Sequence, residues 1–297
     1  MTRYRVEHRT TYSYDDDVTD SLGIAHLVPR SLPWQQVSGY DVVVTPEPGD
    51  LSRDADYYGN TVTFFQVTEP HAELVVVGGG EVDVVAPVVD EVAAARPWDE
   101  LRPLVHPDAP GAWRATDFAL ASAAVPIHGG ARDYAAASLV PGRPVGEAVT
   151  DLVHRIHADF DYDATATSVT STVPEILAKR AGVCQDFAHL TLSALRSHGL
   201  AARYVSGYLA TEPAPGQPRM VGADASHAWV AVWLGGEEWL ALDPTNDQRQ
   251  DDRYVTVAWG RDYGDVPPLK GVIFTEARTS TLSVSVDVAP LGPGAAG

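Results

Sequence analysis

The sequence predicts an α+β protein. An N-terminal antiparallel β-sandwich-like domain, residues 1–86, precedes a core, residues 145–265, in which a cysteine at a helix N-terminus packs on an antiparallel sheet. Three observations carry this. The first 86 residues hold at least five short β-branched and aromatic runs parted by turn signals. After Cys184, the single cysteine of the 297 residues, Phe187, Leu190, Thr191, Ala194 and Leu195 recur at three- and four-residue spacings, and Gly199 supplies a stop. Finally, Ser226-His227-Ala228-Trp229-Val230-Ala231-Val232-Trp233-Leu234 and Trp239-Leu240-Ala241-Leu242 flank Gly235-Gly236, which is the pattern of a hairpin. Residues 87–144 read as a mainly helical connection, and residues 266–297 as a C-terminal strand and disordered tail.

In order, residues 3–14 alternate as a strand, residues 22–33 form a turn and a short extended piece, and residues 39–45 a second strand closed by Pro46-Glu47-Pro48-Gly49-Asp50. Gly59-Asn60 is a tight turn from which residues 61–67 return. Residues 73–77 and 81–85 read as two strands around a bend at Gly78-Gly79-Gly80; no lysine or helix pattern follows, so the glycines are not a phosphate loop. Residues 113–124 and 132–137 are expected to be helical. Residues 145–158 form a firmer helix, with Val145, Ala148, Val149, Leu152, Val153 and Ile156 on one stripe. His154 and His157, near its end, read as polar helix-end residues rather than a metal pair. Asp159, Asp161 and Asp163 lack the glycine and distal glutamate of a calcium loop. Residues 165–172 are a hydroxyl-rich loop that caps a helix at 173–179. Strands follow at 202–209, 227–234 and 239–242. Residues 212–222 make an exposed Pro/Gly loop able to gate the site. Residues 279–288 alternate as a last strand.

The chemistry centres on Cys184. The open N–H groups and positive dipole end of a helix N-terminus favour a thiolate, the nucleophilic form of cysteine. A hairpin centred near Gly235 sets His227 opposite Asp243, and the two share a face if the connection has an odd number of residues or a bulge. Asp243 then holds one nitrogen of His227 and leaves the other to take the Cys184 proton. Trp229 and Trp239 lie on the same face, where they would exclude water from the pair or serve as core.

Gly182-Val183-Cys184-Gln185-Asp186-Phe187-Ala188, Ser226-His227-Ala228-Trp229-Val230 and Trp239-Leu240-Ala241-Leu242-Asp243-Pro244-Thr245, in that order, resemble the core of the transglutaminase-like superfamily of papain-type thiol enzymes. The resemblance covers roughly residues 145–250. It implies a papain/transglutaminase-like core with Cys184 as nucleophile, His227 as general base and Asp243 as its orienter. Arg203-Tyr204-Val205-Ser206-Gly207-Tyr208 looks like the strand after the cysteine helix in bacterial members. The half containing Tyr58-Gly59-Asn60 looks like their accessory β domain, and residues 261–271 like a late stretch of the same relatives. One departure concerns the oxyanion. The backbone N–H of Cys184 is one donor, but the tryptophan or glutamine that relatives place upstream of the cysteine is missing, since no Trp lies between Trp113 and Trp229 and no Gln between Gln66 and Gln185. Tyr162 is the substitute candidate, and Gln185, Tyr208, Trp229 and Trp239 are further oxyanion or cleft candidates.

A formal charge of −19 argues against nucleic acid and anionic membranes as partners and favours cationic or amine-bearing ones. The charged, alternating first residues carry no apolar signal region, and a lone cysteine suits a reducing compartment, so a cytoplasmic location is expected. No cofactor and no metal are expected. The implied function is that of a transglutaminase-like cysteine acyltransferase or a cysteine protease or amidohydrolase: thiol-dependent acyl transfer or amide or peptide hydrolysis on a protein or peptide substrate carrying a carboxamide or peptide bond, with water or an amine as acceptor. Its rival is a catalytically silent protein- or peptide-binding module on the same scaffold.

Overall fold

The structure, a computed structural model, describes residues 1–211 and 226–291. Its N-terminal sheet is organised on one long strand. β1 (Thr2–Ala25) is followed by β2 (Gln35–Thr45), β3 (Asp50–Ala55), β4 (Thr61–Val67) and β5 (His71–Val84), in the order β2-β5-β1-β4-β3. β1 continues past residue 14, where the first strand was expected to end, into the stretch from residue 22 expected to turn. Its first half pairs with β5 and its second with β4, with an irregularity between Ser13 and Val18. A small apolar core of Val42, Val44, Phe65, Val67, Leu74 and Val76 serves this domain. β5 is one strand where two were expected, because its glycines serve close packing rather than a bend. A Cβ at Gly78 would lie 2.9 Å from the Leu27 side chain, and one at Gly80 would lie 2.5 Å from the Tyr40 backbone.

Four short helices or turns follow: α1 (Glu91–Ala94), a 3-10 turn at Trp98–Glu100, α2 (Ala112–Ala115) and a 3-10 turn at Thr116–Ala119. The last two occupy the region read as one helix at 113–124. Next come α3 (Gly129–Ala135) and α4 (Val145–Asp159), whose apolar stripe is buried as its spacing requires. β6 (Asp161–Tyr162), α5 (Val173–Lys179), β7 (Ala181–Gly182) and α6 (Cys184–Arg196) lead to a second sheet. It comprises β8 (Ala202–Leu209), β9 (Ser226–Gly235), β10 (Glu238–Asp243), β11 (Gln248–Arg249) and β12 (Tyr254–Gly260), in the order β11-β10-β9-β8-β12. The even-numbered face of β9 and β10, with Val230, Val232, Leu240 and Leu242, joins the core that encloses α6. Every residue of α6 after Cys184 is buried. Full burial of each of Leu190, Leu192 and Leu195 contributes about 1.5–3 kcal/mol.

The chain ends where it began. β13 (Leu269–Thr275) and β14 (Ser280–Leu291) both pair antiparallel with β1. The β domain is therefore assembled from both ends of the sequence, and the segment expected as a separate C-terminal piece is part of it. β14 matches β1 without interruption from Arg3↔Leu291 to Tyr14↔Ser280. The 212–222 loop and the tail beyond residue 291, singled out in the sequence, lie outside the described residues. No helix among the described residues is long and apolar enough to cross a membrane.

Two amide side chains join the domains. β12 is an edge strand of the core sheet, with unpaired backbone groups on its outer side. Gln35 donates to the Thr256 carbonyl (2.7 Å) and accepts from its N–H (2.8 Å); Asn60 does the same at Trp259 (2.8 and 2.9 Å). A bulge between Thr256 and Ala258 shifts the phase of β12, so that these residues, three apart, both face outward.

His8 adds a buried contact between the domains. Its Nδ1 lies 3.1 Å from the Tyr208 hydroxyl and its Nε2 3.1 Å from Thr10 Oγ1. Burial pulls its pKa down to about 4, so the ring stays neutral in the fold over a range where an unfolded chain, with a histidine pKa near 6.5, takes up a proton. Stability then falls as pH drops from about 6.5 to about 4, by on the order of 3 kcal/mol for this group. His189, also drawn down to about 4 by burial, acts in the same direction. Melting temperatures measured between pH 7.5 and 4.5 should fall less steeply in His8→Gln than in the native sequence, and parallel curves would remove His8 from the acid response.

Candidate active site

Cys184 starts α6 because the chain stops being extended there. β7 pairs with β6 through Tyr162↔Gly182, and Val183 is the last extended residue before the helix. Valine has no side-chain acceptor, so it leaves the amides of the first turn open. Asp186, three residues in, reaches back instead. Its Oδ2 accepts from the Val183 N–H (2.9 Å) and from Thr167 Oγ1 (2.6 Å). Gln185 donates to the Val169 carbonyl (3.1 Å). Together the two side chains stitch the 165–172 loop to the start of the helix beside the half-buried thiol.

His227 and Asp243 come from neighbouring strands. The hairpin carries a bulge between Glu238 and Trp239, after which Trp239 pairs with Trp233 and Leu242 with Val230. The bulge restores the odd-with-odd pairing that puts His227 and Asp243 on one face. The centre lies one residue further along than Gly235, so Asp243 is diagonal to His227 rather than opposite it. Reach is unaffected: His227 Nε2 to Asp243 Oδ2 is 2.7 Å. The other ring nitrogen, Nδ1, is not taken by Asp243 and is left for the Cys184 thiol, whose interaction with the ring favours its charged form. Burial opposes a charged ring, but the bond to Asp243, the charge of that carboxylate and the interaction with Cys184 outweigh it and push the His227 pKa up to about 10.

Asp243 is fully buried, and an uncompensated carboxylate there would be costly. It is compensated by donors on both oxygens. Besides His227, Oδ2 accepts from Tyr254 (2.7 Å) and Asn246 Nδ2 (2.6 Å); Oδ1 accepts from the backbone N–H groups of Thr245 (2.8 Å) and Asn246 (3.3 Å). Burial works against ionisation here too, yet these bonds and His227 hold Asp243 below the usual carboxylate pKa. The result is a fixed negative charge behind the imidazole.

The structure places the remaining candidates differently. Tyr162 pairs with Gly182, two residues before Cys184; partial burial and then the Cys184 charge raise its pKa, and 62% of its surface is exposed. Trp229 is buried and stacks on His227, with centroids 6.1 Å apart at 27°. Its ring fits because Gly207, opposite His227, has no side chain; a Cβ there would sit 2.6 Å from the indole. Tyr208 is not in the cleft. It is on the other face of β8, buried against His8 at the domain contact. Trp239 shares the face of His227 but pairs with Trp233, six residues along β9, or roughly 20 Å at strand spacing. It packs on Phe118 and cannot shield the pair.

His154 and His157 hold the turn after Asp243. His154 Nδ1 lies 2.7 Å from Asp247 Oδ2, and His157 Nδ1 2.8 Å from the Thr245 carbonyl. Asp159 accepts from Tyr134 and Asp163 from Thr165, so the alternating aspartates do not converge. Asp262 and Asp265 are structural: Asp262 caps a 3-10 turn and accepts from the Ala124 N–H, and Asp265 pairs with Arg261.

Comparison with known proteins fits this arrangement. Residues 132–244 match the family described as the transglutaminase-like superfamily, and residues 4–83 match the bacterial transglutaminase-like N-terminal region. The chain belongs to the transglutaminase-like superfamily. Uncharacterized proteins of Mycobacterium tuberculosis and Mycobacterium bovis are 47% identical to it over 295 residues, covering 97% of this chain and 93% of theirs. A protein-glutamine gamma-glutamyltransferase of Pseudomonas aeruginosa is 33% identical over 127 residues, 41% of this chain and 19% of that one. The crystal structure of a candidate cysteine protease from Cytophaga hutchinsonii superposes with a TM-score of 0.75 at 22% identity, covering 97% of this chain and 90% of that one. This last likeness establishes the shared fold.

Within this transglutaminase-like core, sequence reasoning missed Tyr254 and Asn246. Asn246 had a signal, since Asp-Pro-Thr-Asn is a side-chain-to-backbone turn in the making. Tyr254 had none, because its approach depends on how β12 is held. Asp243→Asn keeps the volume but turns an NH2 donor toward groups that are themselves donors, and should slow iodoacetamide labelling of Cys184 at least roughly ten-fold. Tyr254→Phe removes one donor and should cost about 1 kcal/mol in urea denaturation, with a smaller loss of labelling rate. Labelling at the native rate in Asp243→Asn would break the link between the carboxylate and the thiol.

Proposed function

We propose that this protein is a thiol-dependent acyl-transfer enzyme acting on carboxamides of protein or peptide substrates, the side chain of glutamine first among them. The observation that carries the proposal is a histidine bonded through Nε2 to a buried, donor-saturated carboxylate, with Nδ1 left for the lone cysteine, whose interaction helps raise the pKa of the ring. Cys184 Sγ attacks the carboxamide carbon, and the oxygen becomes an oxyanion. His227 takes the thiol proton and passes it to the leaving nitrogen as the C–N bond breaks, which leaves a thioester and releases ammonia or an amine. Water or a primary amine, deprotonated by His227, then attacks the thioester, and the thiol reforms. Asp243 keeps the tautomer and orientation of the ring and stabilises its charged form.

The oxyanion needs donors where charge develops. The open N–H of Cys184 is one, and we assign the Tyr162 hydroxyl as the second, on the strength of its place opposite Gly182, two residues before Cys184, and the effect of the Cys184 charge on it. The match to a gamma-glutamyltransferase supports carboxamide as the reacting group. An amine acceptor suits an acidic protein whose own lysines number two, Lys179 and Lys270, so that self-cross-linking is limited.

The test is release of ammonia from glutamine-containing peptides with and without a primary amine. Cys184→Ala and His227→Ala should abolish it. Tyr162→Phe should lower kcat on the order of 10²–10³-fold while leaving iodoacetamide alkylation, which develops no oxyanion, unchanged. Ammonia release by Cys184→Ala at the native rate would overturn the mechanism. A silent binding module would give slow, equal alkylation in the native protein and His227→Ala, and no ammonia from either.

A further inference from the structure

The odd-numbered face of the core sheet, which carries His227, also floors a cavity of about 530 Å³ that no catalytic residue lines. It is roofed by Trp34 and residues 85–89 of the β-domain side, and floored by Arg203, Trp239, Gln250 and Trp259. Arg203 faces Ala231 in the β8–β9 ladder, four residues or roughly 13 Å along β9 from His227, with Trp229 between. A volume of this size suits a small organic ligand.

Arg203 lacks a hydrogen-bond or ion-pair partner among the described residues. It is 8% exposed, its guanidinium lies 3.7 Å from the Trp259 ring centroid and 4.3 Å from that of Trp239, and among the described residues no carboxylate or carbonyl accepts from it. Its Nε is buried without an acceptor, and so is Trp34 Nε1 on the opposite wall. A second guanidinium, that of Arg30, sits 3.6 Å from the same Trp259 ring. Arginine does not neutralise itself by losing its proton, so a buried unpaired guanidinium is a standing cost that an anion would relieve. Burial and the neighbouring Arg30 charge pull the Arg203 pKa well below its usual value, the direction expected of a cation in want of a counter-charge.

We propose that this cavity is a binding site for a small apolar carboxylate, its carboxyl group on Arg203 and Trp34 Nε1 and its body between the indoles and the aliphatic wall. A guanidinium fork matches a planar carboxylate with two parallel bonds. Glu237 and Glu238, exposed at the rim, disfavour a doubly charged phosphate. The site is separate from the thiol chemistry and does not depend on it.

Calorimetric titration of the full chain with phenylacetate and octanoate, using phenylacetamide and inorganic phosphate as comparators, tests this. At least one carboxylate should bind saturably at one per chain and quench tryptophan fluorescence. Phenylacetamide should bind roughly ten-fold or more weakly than phenylacetate. Arg203→Met should abolish binding, Trp34→Phe should weaken it a few-fold, and Cys184→Ala should leave it unchanged. Absence of carboxylate binding, equal binding of the amide, stronger binding of phosphate, or loss of binding in Cys184→Ala would each overturn the proposal. Should Arg203→Met fail to fold, the amide comparison and Trp34→Phe decide the matter alone.

Discussion

The two-ended grip of Gln35 and Asn60 on β12 is the interaction on which the rest of the molecule depends. Each amide supplies one donor and one acceptor to a single residue's backbone, as a paired strand would, so the β domain satisfies the open edge without adding a strand to it. What β12 carries explains why this matters. Tyr254 at its start bonds Asp243, and Trp259 near its end supports Arg203. A rigid edge thereby sets the back of the His227–Asp243 pair and the floor of the cavity together. The β domain is a structural part of the site, although it contributes no reacting group.

Asp243 shows how a buried charge is made tolerable without being neutralised. Four neighbouring groups besides His227 point donors at its two oxygens, and they come from a turn, an adjacent side chain and a strand held by another domain. Removing one partner of such a group is costly because the charge stays behind. The turn is itself anchored from behind by His154 and His157 on α4. These histidines therefore position the residues that position Asp243, and their spacing of three, which puts both on one helical face, serves that purpose rather than metal binding.

Much of the core could be read from the sequence because its signals are local. A helix stripe after Cys184, a hairpin around two glycines and a capped helix at Val173–Lys179 each follow from a few consecutive residues. The need for either an odd-numbered connection or a bulge between His227 and Asp243 was also legible from the alternation of side chains, and the structure uses the bulge. What escaped reading was non-local. Gly78 to Gly80 look like a bend until Leu27 and Tyr40 are seen pressed against them. Tyr208 and Trp239 were assigned to the cleft by proximity in sequence and by face, yet face alone does not give distance along a strand or the identity of the partner across it. The return of β13 and β14 to β1 could not be inferred, because an alternating strand does not state which edge it will join.

Alternation in one sheet also explains how a single domain holds two polar environments without mixing them. The even face is sealed by α6 and is almost wholly apolar. The odd face runs from His227 through Trp229 and Ala231 to Arg203 and Trp239, covered by the β domain and, at the Trp239 end, by residues 112–119 of the connecting region. Trp229 is the divider: its ring faces His227 on one side, its N–H bonds Gln250 (3.3 Å), and Gln250 lines the cavity beyond. The imidazole requires a dry, fixed neighbour to keep its bond to Asp243, whereas the guanidinium requires room and an anion. A buried indole between them satisfies the first requirement and bounds the second. The two sites can therefore be altered separately, although they stand on the same strands.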